Sequence, residues 1–268
     1  MKNFIKHLSS ISLILFLTIS LSAQADYKVK ITVGGKVIIN QVDKVNIEGY
    51  DGTEVIISGV DKKRKQDPRA AGLRVISGSG KVDNTGLGLS AIKAGNELTV
   101  EQVGKNTKGR FMIKIPHGIS VLYEHDDHSA DDLNIRNFKS EIEISAHYNE
   151  VKLDNVTGPM SINTVHGDVD ARFSKVSQAN PITIRSSHGL IDIAMPASTK
   201  ANLKVKASHG DMFTDFDISK KIPAQQTKGG QGSGNSWEAE CDDCDDDKME
   251  GTINGGGVLV DLHSSHGN

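Results

Sequence analysis

From Asp26 onward, apolar and polar residues alternate in short runs. Val29, Ile31 and Val33 begin the series, followed by Val55/Ile57, Leu98/Val100, Ile113/Ile115, Ile142/Ile144 and Ile191/Ile193, and each run is broken by Gly, Asn, Asp or Pro. A period of two bounded by turn formers predicts half-buried β-strands, and no stretch carries a helical period. Four polar stretches interrupt the pattern: Asp61–Ala71, Val103–Arg110, Glu124–Asp132 and a long one over Asp217–Glu250. They read as insertions into a single β framework rather than as linkers between domains.

The second half of the chain repeats. Ile144, Ile162, Ile184, Val205 and Leu262 form one apolar column, and two residues later Ala146, Thr164, Ser186, Ala207 and Ser264 form a column of small side chains. Tyr148, His166, His188, His209 and His266 come next, followed at once by Asn149, Gly167, Gly189, Gly210 and Gly267. Two places further on stand Val151, Val169, Ile191 and Met212. From His166 to His188 is 22 residues and from His188 to His209 is 21, a period suited to one coil of a β-solenoid. Stacked coils place like residues about 4.7–4.9 Å apart and enclose a thin core of Ile, Val and small residues. The expected fold is therefore an all-β, single-stranded β-helix or β-solenoid with loop insertions.

Composition agrees with a thin core, because aromatics make up only 4% of the 268 residues while Gly contributes 27. The N-terminus stands apart. Lys2 and Lys6 precede an apolar stretch from Ile11 to Leu21, and Ala23-Gln24-Ala25 supplies small residues at a cleavage site. This is the pattern of a secretory signal, shorter than the ~20 residues of a membrane span. Residues 1–25 are expected to be removed, leaving a 26–268 domain of net charge −5 in the periplasm or at the cell surface. No later run is long and apolar enough for a membrane span, and the acidic balance argues against nucleic-acid binding.

The segments Gly52–Gly59, Ala71–Ser90, Leu153–Phe173, Asn180–Ile218 and Thr252–Asn268 together resemble the bacterial β-strand-repeat family named for candidate adhesins, related to head-GIN-type domains. The resemblance implies an exported right-handed β-helix or a close relative, with an adhesin-like role. Two departures stand out. His-Gly replaces the usual Asn-Gly, and the chain stops soon after the last Gly, which predicts a truncated final coil or an open edge.

Nine of the ten histidines lie at or after position 117, and the column gathers four of them. In one reading His166, His188, His209 and His266 fill a corner near the left-handed region, where His is enriched among non-Gly residues. In the other, rungs on successive coils share a transition metal, Zn, Ni or Cu, at ~2.0–2.1 Å per bond. His125-Asp126-Asp127-His128 adds a second set of candidate ligands, although it lacks the spacing of a helical HExxH zinc site. Cys241 and Cys244 stand among Asp242, Asp243, Asp245, Asp246 and Asp247, with the single Trp, Trp237, nearby. In an oxidising compartment the two thiols close a short disulfide; a reduced soft-metal site and redox chemistry are the alternatives. This loop is a candidate binding surface.

Paired acids beside aromatic platforms, which a sugar-cleaving β-helix requires, are missing from the sequence. Gly86–Leu89 and Gly255–Gly257 lack the Lys-Ser/Thr of a phosphate loop. The sequence thus predicts a non-enzymatic exported scaffold that presents a solenoid edge to an envelope or extracellular protein or glycan. No cofactor is required, and a periplasmic protein binding a divalent transition metal through the His column is the alternative.

Overall fold

The computed structural model describes residues 26–61, 73, 76–78, 80–104, 109–128, 132–220 and 247–267. Within them the alternating runs form nineteen strands and no helix. In chain order these are β1 (Tyr27–Val29), β2 (Lys36–Asn40), β3 (Val45–Tyr50), β4 (Val55–Gly59), β5 (Leu89–Ala94), β6 (Glu97–Gln102), β7 (Phe111–Pro116), β8 (Ser120–His125), β9 (Leu133–Arg136) and β10 (Ile142–Ala146). They continue as β11 (Val151–Val156), β12 (Met160–Thr164), β13 (Val169–Phe173), β14 (Ile182–Ser186), β15 (Ile191–Ala194), β16 (Ala201–Ala207), β17 (Ser219–Lys220), β18 (Asp247–Ile253) and β19 (Val258–Ser264).

Two sheets face each other across one apolar layer. The first runs β1-β4-β7-β3-β9-β11-β13-β15, and the second runs β17-β18-β16-β19-β14-β12-β10-β8-β2-β6-β5. From β8 to β15 the chain alternates between them, so each coil adds one parallel strand to either sheet. Three of the four sheet ends are antiparallel, with β5 on β6, β1 on β4, and β17 and β16 on β18, whereas β15 closes sheet one parallel to β13. The architecture is solenoid-like, built from two mixed sheets.

The strand order departs from simple coiling at two places. The coil β2-β3 is inserted between β6-β7 and β8-β9. At the other end β19 lies between β14 and β16, parallel to both. β19 is therefore interior to its sheet, which overturns the expected open edge, while its coil has no strand in sheet one, which ends at β15, as the truncated-coil expectation has it. The column partner of Met212 is also lost. Sheet one ends at β15, and Met212 sits in an irregular segment against a cavity instead of in a further strand.

Alternation fills the interlayer. Ile142, Ile162, Ile182, Ile184, Val151 and Val260 are fully buried, each contributing roughly 1.5–3 kcal/mol. The few large rings, Phe111, Tyr123 and Phe138, are also buried. The long 217–250 insertion is framework at both described ends, because β17 pairs with β18 and β18 pairs along seven residues with β16. Trp237, Cys241, Cys244, Asp242, Asp243, Asp245 and Asp246 lie outside the described residues, as do residues 1–25. Asp247 opens β18.

Candidate functional site: a ladder of stacked rings

Parallel pairing in register carries the repeat columns into space. Ile144 lies beside Ile162, Ile162 beside Ile184, Ile184 beside Leu262, and Leu262 beside Val205. Two residues past the end of each strand, a ring projects outward. Tyr148 and His166 stack at 5.2 Å between centroids, His166 and His188 at 4.8 Å, His188 and His266 at 4.9 Å, and His266 and His209 at 4.6 Å. Interplanar angles of 3–25° keep the five rings almost parallel. All five are exposed, and together they form one rail about 20 Å long.

The order of rungs is not that of the sequence. Inserting β19 between β14 and β16 places His266 between His188 and His209, so the expected direct succession from His188 to His209 is corrected. Tyr148 is a full rung, and His128 and His147 meet its ring edge-on at 6.5 and 6.3 Å.

Backbone hydrogen bonds fix the rungs. The His166 N–H donates to the His147 carbonyl, His188 to Val165 and His266 to Ser187, at 2.7–3.0 Å. None of the four ladder histidines has a positive φ, which removes the left-handed corner as the reason for His at these positions. That conformation occurs instead at the far side of the coil, where Asn137 and Asn155 have φ of 54° and 53° and Asn155 Nδ2 donates to Asn137 Oδ1. Glycine follows His166, His188 and His266 for another reason. A Cβ on Gly189 would strike the Gly167 carbonyl, and one on Gly267 would strike the Gly189 carbonyl. The coils approach too closely there for any side chain.

His125 and His128 do not form a site together. His125 takes an inward position beside Ala146, in the column of small residues, and its side chain is 1% exposed, whereas that of His128 is 86% exposed. His125 Nε2 lies 3.2 Å from Asp43 Oδ1, and its ring stacks on Tyr123. Asp43 Oδ2 accepts from Gln102 Nε2, the Tyr123 hydroxyl donates to the Val42 carbonyl, and Asn149 Nδ2 donates to the Tyr123 oxygen. Burial pushes the Tyr123 phenol well above its usual range, against the opposing pull of the Asn149 hydrogen bond. The sequence contained a signal for this buried cluster: Val121, Tyr123 and His125 share the inward parity of β8.

Among the described residues no group of three or more His, Cys, Asp or Glu is arranged to hold a metal. Rings related by a translation of 4.6–4.9 Å keep like nitrogens that far apart, beyond the ~4.2 Å that two metal–nitrogen bonds span. As stacked, adjacent rungs do not share an ion. A cavity of about 350 Å³ lies where sheet one stops at β15 and sheet two continues, lined by Ile193, Leu203, Val205, Phe216, Met249 and Leu262. It is an apolar gap in the interlayer. No helix among the described residues is long and apolar enough to cross a membrane.

The Toastrack DUF4097 family model matches residues 126–268, more than half of the chain. The chain belongs to the Toastrack DUF4097 family. The matched residues carry β9 to β19, including every histidine rung and the inserted β19 that completes the rail. Outside the Toastrack match lie β1 to β8, with Gln102 on β6, Tyr123 and His125 on β8, and Asp43 between β2 and β3. No curated protein matches the chain. A crystal structure from Clostridium sporogenes, titled as that of a "putative cell adhesion protein", is similar to the chain at 14% identity. The match covers 91% of this chain and 96% of that one, with a TM-score of 0.39.

Proposed function

We propose that the chain is an exported, non-catalytic scaffold of the envelope or cell surface, and that the ring ladder is the edge it presents to a partner. The observation that carries this reading is the ladder itself. Five exposed rings held in line by hydrogen-bonded coils form a regular surface. Preorganised rings that lose little entropy on contact are suited to recognition. The Tyr123, His125 and Asn149 side chains of the polar cluster are buried and Asp43 and Gln102 half-buried, which fits a structural role better than turnover. In this reading the partner is an extracellular or envelope protein or glycan, nucleic acid is not bound, and the winding is right-handed, as in the head-GIN-type proteins that the sequence resembles.

Cell fractionation with N-terminal sequencing tests export: the chain should begin at Asp26 and lie outside the cytoplasm, and an intact cytoplasmic chain would refute it. Beads coated with the mature protein test recognition. Adhesion to envelope or matrix preparations should fall when His166, His188 and His266 are changed together to Asn; equal adhesion would remove the ladder from the function.

A further inference from the structure

The two sheets do not end together. Beyond β14 the second sheet continues through β19, β16, β18 and β17, whereas among the described residues the first sheet has no strand beyond β15, which follows β14 in the chain. Apolar side chains at this end are left half covered. Among the described residues ten partly buried apolar side chains pack against the core; eight of them, including Ile191, Ile193, Val205 and Leu262, border the cavity of about 350 Å³, and the other two are on β1. In the neighbouring coils the same columns, Val169 and Ala171 in one sheet and Ile162 and Ile184 in the other, are buried. We propose that the gap accepts one extended segment of a partner protein as an added strand beside β15, with alternate apolar side chains filling the cavity and basic side chains facing Asp211 and Asp215. The inference rests on the scaffold reading for the existence of a partner, and it uses a site apart from the ladder.

Backbone, spacing and charge give the occupant its chemistry. β15 pairs with β13 along one edge, and among the described residues no strand pairs with the other, so its outward N–H and C=O groups are a template for main-chain pairing. β19 holds β14 and β16 two strand spacings apart, roughly 9.4–9.8 Å, and the segments that continue from them, β15 and residues 212–216, both border the cavity. That leaves the place of one strand. Apart from Lys206, the charged groups at the cavity are the carboxylates of Asp192, Asp211 and Asp215, and Asp192 is engaged by Arg172 at 2.6 Å. Asp211 and Asp215 are exposed, so Lys or Arg on an incoming strand meets them at the rim. Phe213, 83% exposed on the same segment, offers the strand an apolar contact. A glycan would leave the aliphatic walls uncovered, and a small apolar molecule would leave the edge of β15 unpaired. A peptide strand serves both.

The test uses the mature chain and a fluorescein-labelled peptide of alternating Lys and Val, roughly six residues long, the usual length of a strand. Fluorescence anisotropy should show saturable binding of one peptide per chain. The same peptide methylated on its backbone nitrogens keeps its side chains and charge but cannot donate to β15, and should bind at least about tenfold more weakly. Val205→Phe fills the cavity and should weaken binding by a similar factor, while Asp211→Asn/Asp215→Asn, at exposed positions, should weaken it severalfold and reduce its salt dependence. Circular dichroism verifies that each variant is folded. Equal binding of the methylated peptide would overturn strand addition, and equal binding by the folded Val205→Phe variant would overturn the cavity as its seat. A wild-type chain that binds no peptide, because a segment of its own fills the gap or because the gap takes none, would overturn the proposal outright. The bead assay varies only ladder histidines, so its failure and a failure of peptide binding are read separately.

Discussion

Gly189→Ala tests how tightly the coils are stacked beneath the ladder. Gly189 does not have a positive φ, so alanine adopts its backbone without strain and the substitution isolates the contact. The new Cβ would lie 2.8 Å from the Gly167 carbonyl carbon and closer still to its oxygen, and 2.8 Å from Ser186 Oγ. An ordinary contact between such atoms is about 3.5 Å, so the coils must part locally by at least about 0.7 Å. The obstacle is backbone, which cannot rotate aside as a side chain does, and the Gly267 coil hinders relief on the opposite side. Overpacking of this kind costs about 3 kcal/mol, at the upper end of its usual range, partly offset by a gain of at most ~1 kcal/mol from the stiffer unfolded chain. For a domain of this size a net loss of about 2 kcal/mol lowers the melting temperature by about 4–8 °C. Thermal unfolding followed by circular dichroism measures it. Gly109→Ala is the control, because a Cβ there meets only Phe111 Cζ at 3.9 Å, and its melting should stay within about 0.5 kcal/mol of wild type. A Gly189→Ala protein that melts with the control would refute the close-approach explanation for the glycine column.

Ile162 is fully buried between Ile144 and Ile184, and Ile162→Ala should cost about 2–5 kcal/mol in urea unfolding, with a loss under 1 kcal/mol contradicting the shared interlayer. The Tyr123 phenol, raised by burial, adds stability that is fully present below its unfolded value near ~10 and is lost as pH rises towards the folded value. Wild type should therefore lose up to about 1.4 kcal/mol per pH unit above pH ~10 relative to Tyr123→Phe, and parallel alkaline profiles would refute the sealed phenol.

The period-two runs and the columns made most of the second half legible from sequence, because parallel in-register stacking maps each sequence repeat directly onto neighbouring strands. What they could not reveal was order. A 21–22-residue period describes consecutive coils, whereas β19 reaches its place between β14 and β16 only after the chain has passed through β16, β17 and β18. The contacts that choose that slot are distant in sequence. Gly and His following one another suggested a left-handed corner; the glycine answers instead to a carbonyl in the neighbouring coil, a cause with no local signature. His125 looked like a ligand because it stands in a run of Asp and His, yet its parity with Val121 and Tyr123 points inward, and strand parity outweighs local composition.

The rail exists in the order His166, His188, His266, His209 only if β19 separates β14 from β16, and cysteine cross-linking tests this directly. In the Cys241→Ser/Cys244→Ser background, Thr183→Cys with Asp261→Cys places two thiols on paired residues of β14 and β19, within the ~4.4–6.8 Å Cα separation that a disulfide requires. Thr183→Cys with Lys204→Cys places them two strands apart, about 10 Å. Mild oxidation should cross-link the first pair and not the second. Cross-linking of the second pair without the first would show β16 stacked directly on β14 and would contradict the ladder.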